Sequence, residues 1–138
     1  MRTECYNEYC AAAKTVREKV FMEEQGFSYD YDEIDEIAVH MVMFDGDTPV
    51  AACRIFAGDK PDVYILGRLA VKKAYRSRGI GSALLKEAKA QAKKLGAKKL
   101  ILHSQMQAQD FYAKNGFAAY GEIEYEEDCP HIWMQTEL

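Results

Sequence analysis

The residues of this chain best suited to chemistry lie in one short segment, Arg76-Ser-Arg78-Gly79-Ile-Gly81. The segment follows an apolar stretch and precedes a helical pattern, so its amides belong to the first turn of a helix. Such N–H groups have no acceptor within the helix, and the helix dipole adds partial positive charge beside them. Gly79 and Gly81 leave room for a bulky anion, and Arg76 and Arg78 supply charged donors that match phosphate. The segment therefore predicts a cradle for a diphosphate group.

The spacing of this segment excludes two familiar phosphate-binding motifs. A Walker loop needs a Lys after its second glycine, whereas Gly81 is followed by Ser82. The dinucleotide fingerprint needs a third glycine where this chain has Leu84. What remains is the pattern Arg-x-x-Gly-x-Gly. Six residues alone leave two interpretations open, an anion site or a glycine-rich turn with surface arginines.

The elements around the cradle can be predicted from periodicity and turn residues. A strand–helix–strand passage over residues 63–103 implies two parallel strands, and the flanking hairpins imply antiparallel ones. We therefore predict a three-layer α/β fold with a mixed central sheet and helices on both faces. The predicted helices cover residues 8–24, 79–95 and 107–115, and the predicted strands cover 37–44, 50–56, 63–71, 99–103, 117–125 and 131–137.

Length and composition predict a single globular domain over residues 1–138, since 49% of the residues are apolar and 29% charged. No apolar run has membrane length and the N-terminus has no apolar signal region, so we expect a cytoplasmic protein without membrane contact. The four cysteines lack Cys-x-x-Cys spacing, which argues against a zinc site or a disulfide framework. We expect four buried or half-buried free thiols.

Charge is concentrated in the middle of the chain. From Lys72 to Lys99 ten basic side chains face the single acid Glu87, although the whole chain has a net charge of −4. A nucleic acid could use such a block, but only Tyr75 offers an aromatic face within it. We interpret the helical lysines as a solvated face and expect no nucleic-acid partner.

A second motif decides between the two interpretations of the cradle. The element Phe111-Tyr112-x-x-x-Gly116-Phe117 begins about 30 residues after the cradle. Together with the strand that leads into Arg-x-x-Gly-x-Gly, it resembles the GNAT-type N-acetyltransferase superfamily. Further residues resemble the small bacterial ElaA/YjcF-like branch, and with them the resemblance extends from about Val16 to Met134. These residues are Val20 to Gly26, Asp35, His40, Arg54, Gln105 and His131 to Met134.

The resemblance implies an acyl-CoA site. The pantetheine arm would lie along residues 69–71 like an added strand, with the N–H of Leu69 or Ala70 facing the thioester oxygen. The diphosphate would lie on the amides from Arg76 to Ser82, and Phe111 would pack at the side of the cleft. The family often has an Asn where this chain has Ala108. The implied cofactor-binding residues are Leu69, Ala70, Val71, Arg76, Ser77, Arg78, Gly79, Ile80, Gly81, Ser82 and Phe111.

The resemblance also implies that Tyr112 is the general acid. A phenol and an alkyl thiolate have similar proton affinities, with a phenol pKa of about 10, so proton transfer to the leaving thiolate is nearly balanced. The alternative is a core tyrosine that packs beside Phe111 and Phe117.

The general base is left open by the sequence. A His on a strand is more often a hydrogen-bonded core or rim residue, and one His on each of three strands offers no local pair of metal ligands. Arg54 is interpreted as a structural ion-pair partner. The candidates for the base are Glu23, Glu24, Asp35, His40, His103 and His131.

We therefore expect an N-acetyltransferase that moves the acetyl group of acetyl-CoA to a primary amine, of a small molecule or a peptide, by direct attack in a ternary complex. No metal is expected, and the oligomeric state is open, a homodimer included. The acidic segments 30–36 and 122–128 either attract a cationic amine or are ordinary solvated loops. Two other functions compete: a catalytically silent acyl-CoA-binding regulatory module and a nucleic-acid-binding domain.

Overall fold

A computed structural model describes residues 1–126 and 128–138 of the chain. Its centre is one sheet of seven strands in the spatial order β1-β2-β3-β4-β5-β7-β6. The strands are β1 (Arg2–Tyr6), β2 (Val39–Asp45), β3 (Thr48–Ala57), β4 (Val63–Val71), β5 (Lys99–Gln105), β6 (Ala118–Glu126) and β7 (Cys129–Glu137).

The sheet is mixed, as the sequence predicts. β4 and β5 are parallel and joined through the long helix α2 (Ile80–Lys94), whereas the other neighbouring strands pair antiparallel. The β4–β5 ladder pairs Val63 with Lys99 and ends at Leu66 with Leu102. Beyond that pair the two strands diverge, and the remainder of each faces a cleft.

Helices cover both faces of the sheet, which confirms the three-layer arrangement. On one face, α1 (Ala11–Arg17) continues as a π-helical segment (Glu18–Glu24) and buries Ala13, Val16 and Val20 against Val42, Phe44, Ala52 and Ala70. On the other face, α2 and the short α3 (Gln109–Lys114) bury Leu84, Leu85, Ala88 and Tyr112 against Met41, Cys53, Leu100 and Leu102. Alternate residues of the central strands enter the two cores because successive side chains point to opposite faces.

Several local expectations were wrong. Sequence reasoning missed β1, a short strand at the edge of the sheet. The first helix begins at Ala11, not Glu8, since Cys10 has extended backbone angles. Ile37, placed in a strand, is 75% exposed and precedes the strand that begins at Val39. The four cysteines are free, but Cys5 is exposed rather than buried or half-buried.

Candidate active site

A cleft of about 980 Å³ passes between the diverging ends of β4 and β5. On one side it is bordered by the cradle and by α3, and on the other by β5, β7 and the segment before β2. Tyr112 and all of the implied cofactor-binding residues line this cleft except Arg78, whose guanidinium lies 5.2 Å from the centre of the Tyr75 ring. The cleft therefore brings the cradle, Tyr112 and residues 69–71 to one place.

The cradle has the backbone shape that an anion site needs. Ser77 and Gly79 both have positive φ, at 64° and 76°, so the chain turns its N–H groups toward a common concavity. Gly79 is the N-cap of α2, and the first amide to bond back to it is that of Ala83, 3.0 Å from the Gly79 carbonyl. The amides of the preceding helical residues, Ile80 to Ser82, have no acceptor within the helix.

The second glycine of the cradle is needed for packing. A Cβ at Gly81 would lie 3.2 Å from Cζ of Phe111 and 3.5 Å from Cγ2 of Val71. Phe111 therefore packs directly on the first turn of α2 and lines the cleft. At Gly79, by contrast, a Cβ would meet nothing within 4 Å, and the positive φ is what requires glycine.

Arg76 is engaged by the protein itself. Its Nε donates to the carbonyl of Val71 at 2.9 Å, and its two Nη atoms donate to the carboxylate of Glu24 at 2.5 and 2.6 Å. The hydrogen bond from Arg76 lowers the pKa of Glu24. This ion pair connects the cradle to the end of the π-helical segment, and sequence reasoning missed it because the two residues are 52 positions apart.

A bulge in β4 exposes backbone beside the cleft. The ladder with β3 passes from the pair Arg54–Gly67 to the pair Ala52–Ala70, so Arg68 and Leu69 together face a single residue of β3. Arg68 has a φ of 53°, the left-handed region that a non-glycine residue rarely occupies. The bulge lies in the stretch where the family resemblance implies contacts to the thioester.

Tyr112 is 8% exposed and lies between two aromatic rings. Its ring meets Phe111 edge-on at 5.1 Å and Phe117 at 5.8 Å between ring centres. Burial raises the pKa of Tyr112, so the phenol keeps its proton at neutral pH. Tyr112 is therefore packed in the core, as the core-tyrosine interpretation predicts. It also lines the cleft, as a general acid must.

The acidic connection before β2 is held by arginines. Arg17 binds Asp30 at 2.7 Å and Asp35 at 2.6 Å. Arg54 binds Asp32 at 2.6 Å and Asp35 at 2.9 Å, as its interpretation as a structural ion-pair partner predicts. Burial alone would raise the pKa of Asp35, but the two guanidinium groups lower it to about 2.

Four of the six candidates for the general base lie away from the cleft lining. Glu24 binds Arg76, and Glu23 lies 3.5 Å from Lys19 on the helix surface. Asp35 is fully buried in the arginine network, and the buried His40 donates from Nε2 to the Asp35 carbonyl at 2.9 Å. Burial lowers the pKa of His40.

The other two candidates, His103 and His131, do line the cleft. Their rings stack with centres 4.9 Å apart, and His103 stacks on Trp133 at 4.6 Å. Two carboxylates of β6, Glu124 and Glu126, lie within 3.5 Å of the imidazole nitrogens. Side chains alternate between the two faces of a strand, so His103 of β5 and His131 of β7 lie on the same face of the sheet. The sequence could have predicted that they meet only if the register of β5 against β7 were known.

Two further properties concern the described residues as a whole. Residues 1–126 and 128–138 contain no group of three His, Cys, Asp or Glu side chains arranged to hold a metal ion. None of the helices in this part of the chain is long and apolar enough to cross a membrane.

Comparison with known proteins gives one family. A model of the GNAT acetyltransferase domain matches residues 5–138. The uncharacterized N-acetyltransferase YjcF of Bacillus subtilis is 35% identical over 125 residues, which cover 88% of each chain. The crystal structure of Escherichia coli ElaA superimposes with a TM-score of 0.86 at 29% identity and covers 99% of both chains. An acyl-CoA N-acyltransferase structure from Pseudomonas aeruginosa has the same TM-score, 0.86, at 25% identity over 98% of both chains.

A more distant neighbour adds only to the fold. The structure of an aminoglycoside 6'-N-acetyltransferase complexed with coenzyme A matches with a TM-score of 0.76 at 13% identity, over 99% of this chain and 97% of the other. The domain model, the ElaA/YjcF relatives and the geometry of the cradle agree, and the chain belongs to the GNAT family of acetyltransferases.

Proposed function

We propose that this protein is an N-acetyltransferase that moves the acetyl group of acetyl-CoA to a primary amine by direct attack in a ternary complex. The observation that carries the proposal is the single cleft that joins the cradle, the β4 bulge and Tyr112. Bound acetyl-CoA would supply the thioester. Residues of the chain would then bind it, orient it and manage the protons.

The binding roles follow from the donors that the structure leaves available. The amides from Ser77 to Ser82 would bind the diphosphate, with Arg78 adding charge at the rim. The backbone of residues 69–71, free of β5 beyond the last ladder pair, would bond the amides of the pantetheine arm. Arg76 would reach the diphosphate only by leaving Glu24.

The catalytic roles follow from where charge and protons must go. An N–H of Leu69 or Ala70 at the bulge would stabilise the oxyanion of the tetrahedral intermediate. Tyr112, held as a neutral phenol by burial, would give its proton to the departing thiolate. The amine would approach from the side of the sheet that carries α1, opposite the α2 face.

The proposal is tested by two measurements on the purified protein. Calorimetric titration with acetyl-CoA measures the affinity of the cleft, and a thiol-reactive dye measures CoA released in the presence of a panel of primary amines. We expect saturable binding and amine-dependent thiol release. Tight binding without release on any amine would instead identify a silent acyl-CoA-binding module, and absence of binding would contradict the cradle itself.

A further inference from the structure

The acceptor side of the cleft contains a second cluster of titratable groups whose purpose the proposed function leaves unassigned. It consists of His103 on β5, His131 and Trp133 on β7, and Glu124 and Glu126 on β6. We call it the imidazole cluster. His103, His131, Trp133 and Glu126 line the same cleft as the cradle and Tyr112.

The cluster lies at the point where β4 and β5 separate, beside the place that the proposed function gives to the thioester. His103 is the first residue of β5 beyond the last ladder pair with β4, and Gly67 is its counterpart on β4. The two strands separate from this point, so His103 is at the closed end of the gap that would hold the acyl group. Gly67 has no side chain, and a Cβ there would lie 3.4 Å from Nε of Arg54, which also lines the cleft.

The two imidazoles are held in defined orientations. The ring of His103 is stacked between those of His131 and Trp133, with ring centres 4.9 and 4.6 Å away. His131 Nδ1 lies 2.9 Å from the carbonyl of Cys129 and must donate to it, because a carbonyl can only accept. The other ring nitrogen of His131, Nε2, lies 3.2 Å from Glu126 Oε2.

Carboxylates of β6 face both rings. Glu126 bridges them, since its other oxygen lies 3.5 Å from His103 Nδ1, and Glu124 Oε1 lies 3.5 Å from His103 Nε2. The carboxylates themselves are more than half exposed. The nearest charged group of β4, Arg68, is directed instead to Asp30 at 3.1 Å.

One atom of the cluster lacks a partner. His103 Nε2 is shielded from solvent and makes no hydrogen bond with any residue in the described ranges. A buried polar atom without a partner costs free energy and calls for an explanation, such as a ligand that completes its bonding. The nearest carboxylate, that of the exposed Glu124, lies 3.5 Å from it.

We propose that the imidazole cluster is the acceptor subsite for a cationic alkylamine. This inference rests on the proposed function. Glu124 and Glu126 bind the ammonium group, and Nε2 of His103 takes its proton, which leaves a neutral amine beside the thioester. His131 is a positioning residue that holds Glu126 against His103.

The protons and bonds balance in this scheme. The ammonium loses one proton to His103 Nε2, and the resulting lone pair forms the N–C bond to the acyl carbon. As the C–S bond breaks, the thiolate takes the Tyr112 proton, and the second proton lost by the nitrogen restores the phenol. The first proton passes from His103 to solvent past the exposed carboxylates of β6.

The first test uses two amines that differ in their need for a base. n-Butylamine is almost fully protonated at pH 7, whereas 2,2,2-trifluoroethylamine is largely neutral there. His103→Gln should lower kcat/KM for n-butylamine by about 100-fold or more. It should lower kcat/KM for trifluoroethylamine at least tenfold less, and leave the acetyl-CoA affinity unchanged. Equal losses for the two amines would mean a structural role for His103 and would overturn the proposal.

The second test concerns the carboxylates. Glu124→Gln and Glu126→Gln should raise KM for n-butylamine about tenfold and weaken its dependence on ionic strength, with little effect on trifluoroethylamine. Glu122→Gln is the matched control, because Glu122 is an exposed carboxylate of the same strand that makes no ion pair with either ring. The same change in KM for all three variants would contradict a specific subsite.

A third readout does not need turnover. The chain contains only three histidines, so its imidazole nitrogens can be resolved by NMR in the CoA complex. Addition of 1,4-diaminobutane should shift the signals of His103 and His131 and leave those of His40 in place. Failure of every amine to release thiol would defeat the proposed function, whereas unmoved His103 and His131 signals at all amine concentrations would defeat the acceptor subsite.

Discussion

At the scale of single residues, Tyr112 and Gly81 show how packing and chemistry share the same atoms. Both residues are next to Phe111. The ring of Tyr112 packs against it, and Gly81 leaves room for it because glycine has no Cβ. Burial raises the pKa of the Tyr112 phenol, so the environment that packs the ring also keeps its proton in place. The expected outcome of a substitution therefore depends on which of the two properties it removes.

Tyr112→Phe removes the proton and keeps the ring. We expect kcat to fall about 100-fold or more, in the range typical of a lost general acid, while the acetyl-CoA dissociation constant stays within about twofold. Steady-state thiol release and calorimetry measure the two quantities. Tyr64→Phe, at a half-buried tyrosine outside the cleft, is the control for loss of a hydroxyl. Unchanged turnover would exclude Tyr112 as the proton donor.

Gly81→Ala should weaken acetyl-CoA binding about tenfold, because the new methyl group pushes the Phe111 ring into the cleft. The required displacement is a few tenths of an ångström from a contact of 3.2 Å. The double variant with Phe111→Leu should recover most of the affinity, since the smaller side chain gives way. Calorimetric dissociation constants for both variants check this, and a double variant weaker than the single one would contradict the packing account.

At the scale of the elements, the sequence predicts β4 over its full length, Val63–Val71, and begins α2 at Gly79, its N-cap, one residue before the first helical residue Ile80. These elements have strong local signals, an apolar run bounded by turn residues and a glycine at the N-cap. The cradle between β4 and α2 could be predicted because its residues are consecutive in the chain.

The features that the sequence could not predict depend on the register between strands and on contacts between residues far apart in the chain, or have no local sequence signal. The first helix widens into a π-helical segment at Glu18–Glu24, and no periodicity of 3.6 residues indicates that change. The last helix begins as a 3₁₀ turn, Met106–Ala108, before α3. The imidazole cluster requires the pairing of His103 with Trp133 across β5 and β7, which depends on the strand register.

The ion pair between Glu24 and Arg76 couples two elements, the π-helical segment and the cradle. Glu24→Gln should strengthen acetyl-CoA binding about three- to tenfold, because it removes a negative charge beside the diphosphate site and releases the Arg76 guanidinium. Glu23→Gln is the control, since Glu23 contacts Lys19 and not the cradle. Weaker binding in Glu24→Gln would mean that the ion pair serves to hold the loop in its binding shape.

At the scale of the whole molecule, the buried arginine–aspartate network joins α1, the acidic connection, β3 and β4. Three aspartates, Asp30, Asp32 and Asp35, are matched by Arg17, Arg54 and Arg68. These three aspartates are therefore neutralised inside the protein, whereas Glu33 and Glu36 of the same connection are exposed. The attraction of a cationic amine by the acidic segments stays a prediction.

The network predicts how stability depends on pH. The pKa of Asp35 is about 2 in the folded protein against an ordinary 3.8, so its contribution is fully present above pH 4 and is lost as the pH falls toward 2. Asp35→Asn should lower the unfolding free energy at pH 7 by about 3–5 kcal/mol, because Arg17 and Arg54 are left without their shared carboxylate. It should also flatten the loss of stability between pH 4 and 2.

Urea unfolding at pH 7, 4 and 3 measures both effects. Asp59→Asn changes an exposed aspartate and should leave the curves unaltered. A parallel loss of stability on acidification in wild type and Asp35→Asn would show that other carboxylates control acid unfolding.

The exposure of the edge strand β6 bears on how relatives with this fold can diverge in sequence. Every residue of β6 is exposed, and the strand pairs on one side only, with β7. Substitutions along an exposed edge strand cost little folding free energy. Substitutions in the cradle cost more, because its residues pack against the buried core beneath α2. If β6 carries the acceptor carboxylates, the preference for one amine over another can drift during evolution, or be engineered, while the donor half and the stability of the protein stay constant.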